Sequence, residues 1–169
     1  MEAIVYTSNT GTTKEYAKLL SDKLSLPYYS LDEIKNKVKP GGKIIYLGWI
    51  MASGVKGYKK AIKDYDVCAV GAVGMGATGT QVKEVRTKNK IPSARPVFTL
   101  QGGFDVKKLH GIYKIMMTIM VKTAGKGLAN KQDRTQEEDQ MLEMMLHGGK
   151  YVDEKNLKAI LDWYGKRGE

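Results

Sequence analysis

Hydrophobic residues gather along the chain into five short runs, and stretches of helical periodicity separate them. The runs are AIVYTS (3–8), PYYSL (27–31), KIIYLGWI (43–50), DVCAVGAV (66–73) and RPVFTLQG (95–102). Three of them are continuously apolar or β-branched, which is typical of strands buried on both faces of a parallel sheet. Mixed apolar and charged stretches predict helices over 13–24, 31–38, 54–65 and 81–90. This alternation predicts an α/β fold, a doubly wound five-stranded parallel sheet with helices on both faces.

Further helices are predicted after the fifth run. Residues 105–122 are apolar over most of a helix length. Thr135 and Glu138 have the spacing of a capping box and open the next helix, which ends at Gly148. Asp153 is the candidate N-cap of a last helix that ends at Gly165. No internal repeat, low-complexity tract or linker divides the chain, so we expect a single domain over 1–169.

Composition narrows the class of protein. The chain has 169 residues, one cysteine and a net charge of +10. A lone cysteine (Cys68) cannot form an internal disulfide, and the N-terminus lacks the features of a signal peptide, so we expect a cytoplasmic protein. No run approaches the roughly 20 apolar residues of a membrane-spanning helix. The positive charge suits an acidic partner or an anionic membrane surface, and no nucleic-acid-binding module accompanies it, so no specific nucleic-acid partner is expected.

The loop SNTGTT (8–13) carries the clearest chemical signal. It follows the first predicted strand and opens the first predicted helix, and four of its six residues are Ser or Thr. Unpaired N–H groups and a partial positive charge make a helix N-terminus suitable for a phosphate, and Gly11 permits close backbone approach. An ordinary N-cap needs only one hydroxyl. A Walker-type Lys is absent, so the loop predicts a site for one phosphate monoester rather than for a nucleoside triphosphate.

SNTGTT resembles the phosphate loop of flavodoxins, which has the pattern T/S-x-T-G-x-T and holds the phosphate of FMN. The matching residues are Ser8, Thr10, Gly11 and Thr13. The stretches LGWIMASGVKG (47–57) and VGMGATG (73–79) follow the third and fourth strands as the two flavin-ring loops of flavodoxins do. The resemblance implies a flavodoxin-like fold, FMN as cofactor, and a set of cofactor-binding residues. They are Thr7, Ser8, Asn9, Thr10, Gly11, Thr12, Thr13, Gly48, Trp49, Ile50, Met51, Ala52, Gly74, Met75, Gly76 and Ala77.

This resemblance implies that Trp49, Ile50 and Met51 make flat contact with the flavin ring. Many flavodoxins place the ring between a Trp and a Tyr, but residues 74–80 contain no aromatic residue. One ring face is therefore expected to be open to a substrate, or to be covered by Met75 or by the loop 101–104. Packing in the core is the alternative role for Trp49 and for Met75.

The segment 96–127 resembles the corresponding part of menaquinone-dependent protoporphyrinogen oxidases of the flavodoxin superfamily. That likeness implies an FMN-dependent oxidoreductase, with a quinone or a tetrapyrrole as redox partner and no catalytic side chain. Acidic flavodoxins disfavour the negatively charged reduced flavin, so this basic chain predicts a higher reduction potential. Two alternatives stay open: a pure electron carrier without a substrate of its own, and a non-redox domain that binds another phosphorylated ligand.

Residues 105–126 admit two interpretations. One is a buried helix that covers the sheet, with methionines as gap-fillers. The other is a substrate-side lid or a peripheral membrane contact at the inner membrane face, because lysines flank an apolar stretch. Lys107, Lys108 and His110 belong to this region. Neither His110 nor His147 has a partner at metal-ligand spacing, so no metal site is expected.

Overall fold

The architecture comes from a computed structural model that describes residues 1–105 and 111–167. Eight strands are β1 (Ala3–Thr7), β2 (Tyr28–Ser30), β3 (Lys43–Met51), β4 (Gly54–Val55), β5 (Asp66–Gly74), β6 (Val97–Gln101), β7 (Gly103–Phe104) and β8 (Gly149–Lys150). Six α-helices are α1 (Thr12–Leu24), α2 (Tyr58–Asp64), α3 (Val82–Asn89), α4 (Gly111–Ala129), α5 (Gln136–His147) and α6 (Lys158–Gly165). A short 3₁₀ helix over Glu154–Leu157 leads directly into α6.

Five parallel strands form the main sheet in the order β2-β1-β3-β5-β6. This is the flavodoxin-like strand order, in which the direction of winding reverses between β1 and β3. The predicted α/β fold with a five-stranded parallel sheet is therefore confirmed. All five predicted strands are present within one or two residues of their expected bounds.

The sheet is buried on both faces because apolar side chains alternate along its strands. On one face Ala3 and Val5 of β1 pack with residues of α2 and α3, such as Ala61 and Val85. On the opposite face Ile4 and the other alternate residues pack with side chains of α1, of the 3₁₀ helix and of α6, namely Tyr16, Ala17, Leu20, Leu157 and Ile160. The prediction of helices on both faces is confirmed, with two helices on each.

The predicted helix over 31–38 is wrong. Turns replace it, with an isolated bridge between Lys35 and Val38. Ile34 and Val38 are buried at helical spacing, but Asn36 has a φ of 79°, which interrupts a right-handed helix. The predicted helix over 54–65 is also shorter than expected, since only Tyr58–Asp64 is helical and residues 54–55 form β4.

Residues after β6 leave the main sheet, and β7 and β8 form a separate two-stranded sheet. β7 pairs antiparallel with β8, and the chain between them carries α4 and α5, which pack on each other. We call 105–148 the excursion. The predicted capping box is confirmed, because the Thr135 hydroxyl accepts from the N–H of Glu138 and the Glu138 carboxylate accepts from the N–H of Thr135. Arg134 fixes the turn between the helices by donating to the carbonyls of Leu128, Ala129 and Lys131.

Hydrogen bonds of Tyr16 of α1 connect the two ends of the excursion, the end of β6 and the residues just after β8. The buried Tyr16 hydroxyl donates to the carbonyl of Gln101 at 2.5 Å and accepts from Asn156 Nδ2 at 2.6 Å. Asn156 also donates to the carbonyl of Tyr151 at 3.2 Å, just after β8. Burial raises the pKa of Tyr16, so the hydroxyl stays protonated and remains a donor. One side chain of α1 thus connects the end of β6, the end of β8 and the start of α6.

We expect Tyr16→Phe to lower the free energy of unfolding by about 1–3 kcal/mol, because it leaves buried polar partners unsatisfied. Urea unfolding measures the change. Tyr164→Phe is the matched control, since Tyr164 is half-buried on α6 and its ring packs against Trp163. Equal stability of the two variants would contradict the structural role of the Tyr16 hydroxyl.

Candidate functional site

A cleft lies at the carboxyl end of β1 and β3, where the winding reverses. The connection after β1 leads to α1 on one face, and the connection after β3 leads to α2 on the other, so the two loops diverge. Such a point is where open α/β sheets bind ligands. We call this the switch-point cleft. Its lining residues are Asn9, Thr10, Thr12, Thr13, Trp49, Ile50, Val73, Gly74, Met75, Gly103 and Met117.

The loop after β1 presents an open helix N-terminus to this cleft. Gly11 precedes α1 with a φ of 94°, a left-handed conformation that favours glycine. The first intrahelical bond runs from Glu15 N–H to the Gly11 carbonyl at 3.0 Å, so the N–H groups of Thr12, Thr13 and Lys14 have no helical partner. No side chain caps α1. These donors, with the positive end of the helix dipole, form a ready anion site.

Asn9 adds an independent observation. Its side-chain nitrogen is buried and lacks a hydrogen-bond partner within residues 1–105 and 111–167. A buried amide donor without a partner costs free energy comparable to a lost hydrogen bond. An acceptor atom from a ligand at this loop would satisfy it. The loop is therefore arranged to receive hydrogen-bond acceptors, and it carries no charged residue before Lys14.

The far wall of the cleft belongs to a β-hairpin. β3 continues through Trp49 and Ile50, and β4 returns antiparallel, with Ile50 opposite Val55. The two turn residues are Ala52 and Ser53, both with positive φ, at 47° and 60°. Such turns match the twist of a hairpin, but they favour Gly and Asn, so Ala52 is strained.

Asn89 of α3 holds this strained hairpin in place. Its Oδ1 accepts from the Val55 N–H at 2.9 Å, and its Nδ2 donates to the carbonyls of Ser53 at 2.9 Å and Val85 at 2.7 Å. The side chain is buried, so these bonds are shielded from water. The position of Trp49 and Ile50 at the cleft therefore depends on a residue forty positions further along the chain.

Eight of the predicted cofactor-binding residues meet in the switch-point cleft. They are Asn9, Thr10, Thr12, Thr13, Trp49, Ile50, Gly74 and Met75. Trp49 is half-buried at the cleft, with the Lys56 ammonium 5.7 Å from its ring centre. Residues of three loops, those after β1, within the β3–β4 hairpin and after β5, thus lie together at one edge of the sheet.

The other eight predicted residues lie elsewhere. Met51 and Ala52 are at the hairpin tip, away from the cleft lining. The hydroxyl of Thr7 bonds to the Tyr46 hydroxyl at 2.7 Å, and Tyr46 in turn donates to the Lys56 carbonyl. A Cβ on Gly48 would lie 2.6 Å from that same carbonyl, so the close hairpin requires glycine there.

Two neighbouring clefts take the remaining predicted residues. Ser8 and Gly11, with Thr7, line a polar cleft on the β2 side of the loop. Gly76 and Ala77 line a small cleft between the 75–81 loop and α5, together with Gln101 and Gln140. That loop folds back onto the outer edge of β6, where the Gln101 N–H donates to the Thr78 hydroxyl at 2.9 Å.

Three lining residues, Val73, Gly103 and Met117, were not among the predicted cofactor-binding residues. Gly103 belongs to the 101–104 loop that we expected to approach one ring face. Met117 comes from α4, which places the excursion over the switch-point cleft. No local pattern signals that contact, because it depends on how the whole excursion folds back.

α4 is not a buried helix covering the sheet. Ile115 is 63% exposed and Ile119 is 57% exposed, and α4 packs on α5. The flanking residues Lys107, Lys108 and His110 lie outside the described residues. Within 1–105 and 111–167, no helix is long and apolar enough to cross a membrane.

The lining of the switch-point cleft carries no titratable side chain. Tyr46 of β3 bonds to the Thr7 hydroxyl, and burial raises the pKa of this tyrosine, so it stays neutral. Among the described residues no group of three or more His, Cys, Asp or Glu side chains could hold a metal ion. The cleft offers hydroxyls, an amide, backbone N–H groups and apolar surface, which can bind and orient a ligand.

No protein-family model, curated protein or solved structure matches this chain. The fold and the cleft geometry are therefore the grounds for a functional proposal.

We expect Asn89→Ala to lower the free energy of unfolding by about 2 kcal/mol, because the Val55 N–H and the Ser53 carbonyl lose their buried partner. In a Trp163→Phe background, Trp49 is the remaining tryptophan. Its emission should move to longer wavelength as the hairpin loosens. Asn130→Ala, at an exposed position after α4, is the control. An unchanged emission together with a loss below about 0.5 kcal/mol would refute the role of Asn89.

Proposed function

We propose that the protein is an FMN-binding oxidoreductase with a flavodoxin-like fold. The observation that carries the proposal is the switch-point cleft, in which an uncapped helix N-terminus and the half-buried Trp49 face one space. A phosphate suits the first, and a flat aromatic ring suits the second. The resemblance to menaquinone-dependent protoporphyrinogen oxidases supports a quinone or a tetrapyrrole as redox partner.

The phosphate end of FMN fits the residues present. Asn9 Nδ2 needs an acceptor, and the hydroxyls of Thr10 and Thr12 lie 3.3 Å apart at the cleft. The hydroxyls of Thr10, Thr12 and Thr13 and the N–H groups at the start of α1 can surround a phosphate dianion with charge-assisted hydrogen bonds. The Ser8 hydroxyl also shapes the loop, because it accepts from the Gly11 N–H at 3.1 Å.

The ring end fits with one adjustment. The cleft measures about 70 Å³. Sites for drug-sized ligands usually measure about 300–1,000 Å³. A tricyclic flavin ring therefore needs more room than the cleft offers as it stands. Entry of the ring therefore requires α4 to yield at Met117, which makes the excursion a cover over the ring position.

FMN, when bound, would supply one- and two-electron transfer. The chain's own residues would hold the phosphate through Asn9 and the threonines and orient the ring against Trp49 and Ile50. Gly74 and Met75 would contact its other side, and Met117 would exclude water. Because the described lining has no acid or base, the protein's contribution is binding, orientation and electrostatics.

A cover over the cleft favours an enzyme over a pure electron carrier, since a carrier gains from an exposed ring edge. The carrier remains an alternative, as does a non-redox domain that binds a different phosphorylated ligand. Bound flavin excludes the last. Reoxidation of the reduced protein by a menaquinone, with and without protoporphyrinogen, separates the enzyme from the carrier.

We expect the protein to bind FMN in an isothermal titration, and Thr12→Val to weaken binding about tenfold or more. The variant removes one charge-assisted hydrogen bond at constant shape, a loss of about 1.5–3 kcal/mol. Thr87→Val, at an exposed position of α3, is the control and should bind as the parent does. Failure of the parent protein to bind FMN would overturn the proposal.

We further propose a peripheral membrane contact through α4, at the cytoplasmic face of the inner membrane. Ile115, Met116 and Ile119 are exposed and apolar. Lys114, Lys122 and Lys126 are exposed on the same helix, and the chain carries a net charge of +10. An apolar face with a lysine border matches a helix that lies in the interface of an anionic membrane. A quinone acceptor dissolved in that membrane would then be within reach of the covered cleft.

We expect the protein to float with vesicles that contain anionic lipid at low salt. The double variant Ile115→Ser, Ile119→Ser should lose most of this binding, because it removes the exposed apolar contact. Ile62→Ser is the matched control, since Ile62 of α2 is 42% exposed. Equal flotation of all three proteins would remove α4 from the membrane proposal.

A further inference from the structure

A small cleft lies between the 75–81 loop and α5, beside the switch-point cleft. We call it the amide cleft, because three of its described lining residues are glutamines. The lining residues are Met75, Gly76, Ala77, Thr80, Gln81, Gln101, Gln140 and Met141. Met75 also lines the switch-point cleft, so the two clefts meet at that side chain. A ligand in the amide cleft would therefore lie next to the proposed ring position.

The three glutamines come from three separate elements of the fold. Gln81 is the N-cap residue of α3, Gln101 ends β6, and Gln140 belongs to α5 of the excursion. In the described ranges none of their side-chain amides makes a hydrogen bond. Each amide offers two N–H donors and one carbonyl acceptor. The fold thus brings three amides with free donors to one cleft, where they can bind polar atoms of a ligand.

Hydrogen bonds hold the 75–81 loop, which forms one wall of the amide cleft, in a fixed shape. The Gly79 N–H donates to the Thr99 carbonyl at 3.1 Å, and the Thr99 hydroxyl donates to the Thr80 carbonyl at 2.6 Å. The Thr80 hydroxyl closes the loop by donating to the Ala77 carbonyl at 2.6 Å. Because this wall is ordered before a ligand arrives, binding loses little conformational entropy there.

Charge indicates which class of ligand suits the amide cleft. The eight described lining residues carry no charge, although 27% of the residues in the chain are charged. A carboxylate forms its strongest hydrogen bonds with Arg or Lys, and neither is among these residues. A neutral carbonyl oxygen is satisfied by the N–H donors of an amide. Met75 and Met141 add adaptable apolar contact, which suits the body of a flat ring.

We propose that the amide cleft binds the carbonyl edge of a neutral, planar redox partner of the quinone class, with Gln101 and Gln140 donating to its oxygens. The cleft measures about 80 Å³, so it receives one edge of such a ligand and leaves the rest beside Met75. The ligand's role as redox partner rests on the proposed function, whereas its binding does not. A tetrapyrrole is disfavoured, because its carboxylates would meet no cation among these residues.

Isothermal titration of the full-length, oxidised protein with menadione, a soluble naphthoquinone, tests the proposal by binding alone. The titration is done with and without added FMN. The parent protein should bind menadione, and Gln140→Glu should weaken that binding about tenfold, because a carboxylate replaces an N–H donor at nearly constant shape. FMN affinity should not change. Gln136→Glu is the matched control, since Gln136 is exposed one turn earlier on α5 and lies outside the cleft lining.

The outcomes separate this site from the proposed function. A protein that binds FMN but not menadione overturns the amide cleft alone. Menadione binding that Gln140→Glu and Gln136→Glu weaken equally, or not at all, also overturns it. Tighter binding of coproporphyrin, a carboxylated tetrapyrrole, than of menadione overturns the choice of a neutral partner. A protein that binds menadione through Gln140 but does not bind FMN overturns the proposed function and keeps the amide cleft as a carbonyl site.

Discussion

The parallel pairing of β1 with β3 is the constraint on which the rest of the molecule depends. Thr7 at the end of β1 lies opposite Gly48 of β3. From this pair the chain departs toward α1 on one face of the sheet and toward α2 on the other. The loops cannot close over the strand ends, so a cleft remains between them. The open N-terminus of α1 and the Trp49 hairpin face each other for this reason.

The hairpin and the excursion convert that gap into a defined cleft. Asn89 fixes the hairpin from α3, and Tyr16 with Asn156 fixes the base of the excursion from α1. In both cases a buried polar side chain bonds to backbone groups that have no partner within their own element. Removing such a side chain leaves buried groups unsatisfied. These few bonds therefore fix the positions of the hairpin and of the two ends of the excursion. α4 then covers the cleft while keeping an exposed apolar face of its own.

The strands and the start of α1 could be predicted from the sequence because their signals are local. A continuous apolar run indicates a buried strand, and SNTGTT contains its own helix start and glycine turn. The capping box at Thr135 and Glu138 is equally local. The helix predicted over 31–38 was wrong because Ile34 and Val38 have helical spacing. The left-handed conformation of Asn36 between them has no strong sequence signal. The hairpin was missed because Ala52 and Ser53 are unusual in such a turn.

Contacts between segments that are distant along the chain could not be predicted from the sequence. Asn89 is an ordinary polar residue at the end of a weak helix, and nothing near it points to Val55 or Ser53. Met117 reads as one of several methionines in an apolar helix, and both the core and the covering position suit it. The resemblance put Thr7 and Gly48 among the cofactor-binding residues, but the structure gives them roles in packing β3 and its hairpin.

The visible absorption spectrum of the purified protein, with chromatographic identification of any released cofactor, tests the central claim most directly. The account predicts a yellow protein that releases FMN. A colourless protein that does not take up added FMN would contradict it. The fold would stand in that case, and the loop at 8–13 would have to serve a different phosphorylated ligand.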